Sequence, residues 1–236
     1  MRIGQTMTAA MAVAIGVMTA NAVFAGQTPG ARTSAPRGGA ATAGAANPSK
    51  AKLRTPAALN EKAPETFKAK LDTSKGIIVI EVHRDWSPFG ADRFYNLVKN
   101  GFYDDTRFFR VVPEFMAQFG INGDPAVTAA WQNVTLKDDP VKQSNKRGFV
   151  SYGNTGRPNS RGTQLFINYK DNSFLDGQLF SPFGEVVVGM DVADKLNSEY
   201  GAKPQEAQGT ISTEGNKFLL STFPKLDYIK KATIEN

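Results

Sequence analysis

From Phe67 to His83 the chain writes out a β-hairpin, and no other stretch narrows the fold as far. Phe67, Ala69 and Leu71 alternate with polar neighbours, the two-residue period of a half-buried strand. Thr73-Ser74-Lys75-Gly76 supplies turn residues, and Ile77-Ile-Val-Ile-Glu-Val-His83 follows as a second strand. Short strand-like runs recur around 106–112, 148–153, 163–169 and 182–188, with a closing run over Leu226–Ile234. Helical spacing is rarer. Ser87-Pro88 reads as an N-cap followed by proline at the first helical position. Phe94, Leu97 and Val98 continue that helix, and Gly101 ends it. A second helix is expected from Met190-Asp191 to about Ser198, and a third over about 210–222, stopped by Pro224. Many short strands with two or three helices predict a mainly β fold, a closed antiparallel barrel capped by helices.

Ahead of the hairpin the chain changes character. Arg2, an apolar run from Met11 to Ala20 and the small-x-small end Val23-Phe24-Ala25 describe a secretory signal peptide over 1–25. Cleavage after Ala25 or Ala22 fits; an uncleaved anchor is the other reading. Residues 26–64 are rich in Ala, Gly, Pro, Thr and Ser without apolar periodicity, and predict a disordered basic linker. Of the net charge of +6, the linker carries +5, whereas 65–236 holds 21 basic and 21 acidic residues. The domain itself, expected over 65–236, is therefore neutral, and no nucleic-acid-binding face is expected on it. The linker charges either hold the protein weakly at an anionic membrane surface or merely solvate a spacer. An exported protein is expected, periplasmic in a Gram-negative host.

The usual catalytic sets are missing. With no cysteine there is no disulfide, thiolate nucleophile or Cys-ligated zinc, and one histidine makes a His-based metal cluster unlikely to form, so neither metal nor cofactor is expected. That histidine, His83, sits in a predicted strand two residues from Glu81 and reads as structural. Asp104-Asp105 and Asp138-Asp139 are adjacent loop pairs, better read as solvated charge than as an acid–base couple. The glycines at 148, 153, 156 and 162 lack the lysine and the strand–helix context of a phosphate loop. Two stretches stand out instead. Phe108-Phe-Arg110-Val-Val-Pro113-Glu-Phe115-Met116-Ala-Gln118 sets a cation and an amide among large apolar groups. Asn and Gln again stand beside Phe and Leu in Gly153-Asn154-Thr155, Gly162-Thr-Gln164-Leu-Phe166 and Phe174-Leu175-Asp176-Gly177. An apolar pocket with a few polar fingers has this composition.

In order, the motifs F-x-R-[IV]-[IV]-P-x-F-M-x-Q, S-x-x-N, G-[ST]-Q-x-F, [WF]-L-D-G and F-G-x-V-x-x-G-M-[DN] resemble the cyclophilin family over roughly 66–200. The resemblance implies an eight-stranded antiparallel barrel with helices over its ends and peptidyl-prolyl cis-trans isomerase activity. It implies that Arg110 is the catalytic arginine with Gln118 beside it. Phe115, Met116, Phe166 and Leu175 would line a pocket for the proline ring. Asn154, with the backbone at Gly153, would hold the substrate's main chain, and Thr155 and Gln164 would border the next subsite. Phe174 stands where many members carry an indole, and Phe180, after one extra residue near Leu179, where many carry a histidine. Arg157 looks inserted, and the chain runs past the usual family end through 201–236, a C-terminal extension of unassigned role. The expected partner is an extended or unfolded segment containing proline, bound by a monomer. A chaperone module that holds such segments with little turnover is the competing reading.

Overall fold

The computed structural model describes residues 48–235. Nine strands form one sheet: β1 (Thr66–Thr73), β2 (Gly76–His83), β3 (Thr106–Arg107), β4 (Arg110–Val112), β5 (Met116–Phe119), β6 (Phe149–Tyr152), β7 (Leu165–Asn168), β8 (Pro182–Val188) and β9 (Tyr228–Glu235). Their order is β3-β9-β1-β2-β8-β6-β7-β5-β4, and every ladder is antiparallel. β3 and β4 stand at opposite ends of that order, yet Phe108 and Phe109 alone join them. Three backbone steps reach at most about 11 Å, so the sheet curls until its ends meet.

The strand expected over 106–112 is thus two strands, and the expected eight become nine. The reason is that Phe108 belongs to the barrel core, whereas Phe109 packs outside it with Ile121, Ile211, Leu219 and Leu226. Consecutive side chains serving two different cores break the strand between them.

The β1–β2 hairpin pairs residue for residue from Thr66 with His83 to Thr73 with Gly76. Phe67, Ala69 and Leu71 on one strand, and Ile78, Ile80 and Val82 on the other, point into the core. Each such large side chain contributes roughly 1.5–3 kcal/mol by leaving water. Gly76 takes φ 136°, which the turn requires.

Helices cover the two ends. α1 (Pro48–Leu53) comes first, and α2 (Pro88–Lys99) packs at the open end of the hairpin, where Phe94 meets Phe67 and Arg84 pairs with Asp92 at 2.8 Å. α3 (Pro125–Trp131) follows the fifth strand, and α4 (Met190–Ala193) sits at the turn end with Val192 against Gly76. α4 is shorter than the helix expected to reach Ser198. The helix expected over 210–222 is likewise divided, by Gly215 at φ 60°, into α6 (Gln208–Glu214) and α7 (Asn216–Thr222), with α5 (Lys203–Glu206) ahead of them.

Two expectations are corrected. The linker expected over 26–64 is ordered within its described part: Leu53, Leu59 and Ala63 are buried in the barrel core, and Trp131 Nε1 donates to the Leu53 carbonyl at 2.7 Å. Leu53 docks on α3, and the Ala63 amide donates to Asp92 of α2 at 2.9 Å; these few apolar residues form no periodic element of their own, so no pattern announced them. Residues 1–47, with the expected signal peptide, lie outside the described residues. The closing strand expected over Leu226–Ile234 is β9, and it ties the C-terminal extension over 201–236 into the barrel by pairing with both β1 and β3. Finally, Asp139 is not solvated. It is buried at 2% exposure, accepts from the α2 amides of Phe89 and Gly90 at 3.1 Å, and pairs at 2.9 Å with Arg161, which is 0% exposed. Ser87 makes no capping bond to its helix; its hydroxyl donates to Asp139 at 2.6 Å instead.

Candidate active site on the outer face of the barrel

Strand register assembles the site. Arg110 stands opposite Gln118, and Gln118 opposite Phe166, across β4, β5 and β7. Cross-strand partners share a face. One step along, Val111, Ala117 and Ile167 are also opposite one another and lie in the barrel core. Successive side chains in a strand alternate faces, so Arg110, Gln118 and Phe166 project outward. Met116, two residues before Gln118, joins them.

On that face Met116, Phe166, Leu175 and Phe180 form a separate buried apolar cluster, with Val112 and Phe115 against it. Leu175 comes from a 3-10 turn over Ser173–Gln178. Leu179, near which the resemblance implies one extra residue, takes φ 64° and is exposed, and Phe180 then packs edge-on against Phe166 at 5.6 Å. Phe180 thereby lies in the outer apolar cluster. Phe174 is 55% exposed and stacks on Phe115 at 6.1 Å, forming the rim.

Arg110 closes the polar side. Its guanidinium carbon lies 5.6 Å from the Phe115 ring centroid, and Nη1 donates to Gln118 Oε1 at 3.3 Å. Its Nε is buried and has no hydrogen-bond partner in the structure. Burial lowers its pKa from the ordinary value, and an arginine remains cationic even so. An unpartnered buried donor carries a desolvation cost of about 1–3 kcal/mol unless something completes it.

The loop after β6 supplies main chain. Gly153 donates its amide to the Gln164 carbonyl at 2.9 Å. A side chain there would approach the Gln118 amide, so glycine leaves the surface low. Asn154 is buried, and its side chain works inward: Nδ2 donates to the Gln178 carbonyl at 3.0 Å and Oδ1 accepts from Gly156 at 2.9 Å. The Thr155 amide donates to Ser160 Oγ at 3.0 Å. Gln164 is seated by a close backbone approach, since a Cβ on Gly120 would lie 2.4 Å from the Thr163 carbonyl oxygen. Arg157, the apparent insertion, lies on the exposed part of this loop.

Two contributors, Asn172 and Gln208, escaped the sequence reading, and a third, Asp176, stood in a motif without an assigned role. Asn172 donates to the Phe115 carbonyl at 2.9 Å and fixes the pocket rim. Asp176 accepts from Ser144 at 2.5 Å and from Asn145 at 2.9 and 2.8 Å, while Asn145 also donates to the Phe180 carbonyl at 2.8 Å. Burial raises the Asp176 pKa, but these hydrogen bonds outweigh it and hold the carboxyl below its ordinary value. Gln208, from the C-terminal helices, accepts from Gln164 Nε2 at 3.2 Å. Buried asparagines inside loops carry no periodic signal, so sequence alone had little to offer here.

Comparison with known proteins points one way. The family model "Cyclophilin type peptidyl-prolyl cis-trans isomerase/CLD" matches residues 68–214. A peptidyl-prolyl cis-trans isomerase of Acinetobacter baylyi is 37% identical over 144 residues, 56% of this chain and 74% of that one. Peptidyl-prolyl cis-trans isomerase A of Dickeya dadantii is 38% identical over 131 residues, 54% and 69% of the two chains. Among solved structures, a cyclophilin-type isomerase of Cryptosporidium parvum superposes with TM-score 0.55 at 20% identity, covering 72% of this chain and 98% of that one. The same protein in the presence of the dipeptide Ala-Pro gives TM-score 0.53 at 21% identity, covering 72% and 99%.

Proposed function

The chain belongs to the cyclophilin-type peptidyl-prolyl cis-trans isomerases, and from that premise we propose that it turns Xaa-Pro bonds on the outer face of the barrel, with Arg110 as the catalytic group. The observation that carries this is the buried, unpartnered Nε of Arg110 beside an apolar pocket. The Xaa-Pro bond resists rotation by roughly 18–20 kcal/mol because of its partial double-bond character. No covalent bond forms or breaks, so neither nucleophile nor general base is needed. The site must bind the twisted amide better than either planar form.

In the twist, amide conjugation is lost and the proline nitrogen gains a lone pair. Arg110 donates to that nitrogen or to the neighbouring carbonyl, and its charge needs no proton from solvent. Gln118 holds the guanidinium from one side through Nη1. The proline ring enters the cluster of Met116, Phe166, Leu175 and Phe180, with Phe115 and Phe174 at its mouth. The Asn154 side chain is engaged inside the loop, so this position meets the substrate through its main chain, together with Gly153. Thr155 and Gln164 border the neighbouring subsite. Fixed donors in a partly dry site need no reorganisation as the bond turns.

The partner is a proline-containing extended segment. Its source, on this reading, is exported protein: the charged start, apolar core and small-x-small end over 1–25 support export. Recovery of the protein from the cytoplasm of its host with residues 1–25 still attached would rule export out. Titration of an Ala-Pro peptide into isotope-labelled protein tests the site. Shifts are expected at Arg110, Phe115, Gly153, Asn154 and Phe166. Shifts confined to the opposite face, or equal shifts with an Ala-Ala peptide, would contradict it.

A further inference from the structure

We propose that Gln208 is a positioning residue that sets, through two other amides, the pose in which Arg110 meets its substrate. This rests on the reading of Arg110 as the catalytic group. Four side chains form one line of hydrogen bonds. Arg110 Nη1 donates to Gln118 Oε1 at 3.3 Å, Gln118 Nε2 donates to Gln164 Oε1 at 2.9 Å, and Gln164 Nε2 donates to Gln208 Oε1 at 3.2 Å.

The direction of this line follows from its first member. A guanidinium donates and never accepts, so Gln118 must turn its oxygen to Arg110 and its NH2 to Gln164. Gln164 must then turn its own oxygen back and its NH2 outward. The line therefore has to end on an acceptor, and the Gln208 oxygen is that acceptor. Without it, the Gln164 amide loses one of the two contacts that favour this orientation over the flipped one. A flipped Gln164 sets NH2 against the NH2 of Gln118, and a flipped Gln118 sets NH2 against the cation.

Gln208 does not hold itself there; its helices do. Ile211 and Leu219 are buried against Phe109 and Ile121, which flank Arg110 and Gln118 in the chain. The Asn216 amide donates to the Gly123 carbonyl at 3.0 Å, and the Val111 amide donates to the Gly201 carbonyl at 3.2 Å. A Cβ on Gly215 would lie 2.2 Å from the Gly123 oxygen, so the two backbones meet only because glycine is there. The segment between α4 and β9 thus anchors on β4 and on the chain flanking β4 and β5, and delivers one amide to Gln164.

The test compares Q208L, Q208K and Q208E in the otherwise intact chain, with R110A alongside, by exchange NMR of an Xaa-Pro peptide. Q208L removes the acceptor and should lower kcat by a few-fold to about tenfold, the range of one neutral hydrogen bond, with little change in KM. Q208K puts a donor where an acceptor is required and should lower kcat at least as far. Q208E supplies an acceptor and should restore most of the loss. The side-chain amide signals of Gln118 and Gln164 should move in Q208L and Q208K and stay near the parent in Q208E. Equal kcat across the three folded variants, while R110A is slow, would overturn the proposal and leave the Arg110 reading standing. An R110A as fast as the parent would overturn both. Should Q208L fold poorly, the opposite ranking of Q208K and Q208E decides the matter, because a purely structural role gives no preference for an acceptor.

Discussion

At the scale of single residues, the site depends on groups whose charge does not change near neutrality. Arg110 stays cationic, and Gln118, Gln164, Asn154 and the apolar pocket do not titrate. We therefore expect kcat/KM for a neutral Xaa-Pro peptide to be flat between about pH 6 and 9; a bell-shaped profile there would show a titrating group in the rate step. The acid side is different. The folded-state pKa of Asp176 is lowered, so its contribution to holding the pocket wall is present above the ordinary value of 3.8 and is lost as pH falls through the lower folded value. Activity should fall in that acid range, and less steeply in D176N, which has no carboxylate to lose. Arg110, Gln118 and the pocket aromatics were legible in the sequence because their spacing is a motif. Asn172, Gln208 and the role of Asp176 were not, because each of these residues acts on one far away in the chain through an ordinary polar side chain.

Among the elements, the hairpin β1–β2 was legible from alternation, since one of its faces is buried and the other is not. β5 was missed for the converse reason. All four residues from Met116 to Phe119 are buried, one face in the barrel core and the other under the outer pocket. A strand covered on both faces loses its two-residue period. α2 was legible at both ends, yet its N-terminus is satisfied by a carboxylate some fifty residues away. At its C-terminus Gly101 takes φ 73° and the Phe102 amide donates back to the Leu97 carbonyl at 2.9 Å, closing the helix as the glycine foretold. D139A should cost about 3–5 kcal/mol, because it strips a fully buried Arg161 of its partner as well as uncapping α2. The denaturant midpoint measures it; a cost under about 1 kcal/mol, the worth of an exposed pair, would show that the pair is not the buried anchor described here.

For the whole molecule, the barrel is larger at both ends than its motifs suggested. The motifs run over roughly 66–200, but Leu53, Leu59 and Ala63 complete the core at one end and β9 completes the sheet at the other. Composition marks 48–64 as linker because three buried apolar residues, scattered among Ala, Pro and Lys, leave no period. L53A should destabilise the domain by about 2–5 kcal/mol, the cost of a buried Leu-to-Ala change. A linker leucine would give no change in the thermal midpoint.

The central claim is that the outer face of this barrel accelerates rotation about Xaa-Pro bonds and that Arg110 is what does it. The most direct measurement is the exchange rate between the cis and trans forms of a short Xaa-Pro peptide, by NMR, with the full chain and with folded R110A at matched peptide saturation. The account predicts fast exchange with the parent and a loss of about 100-fold or more in R110A, near 2.7 kcal/mol of transition-state stabilisation. Exchange as fast in R110A as in the parent, or a parent that binds the peptide without accelerating it, would contradict the account.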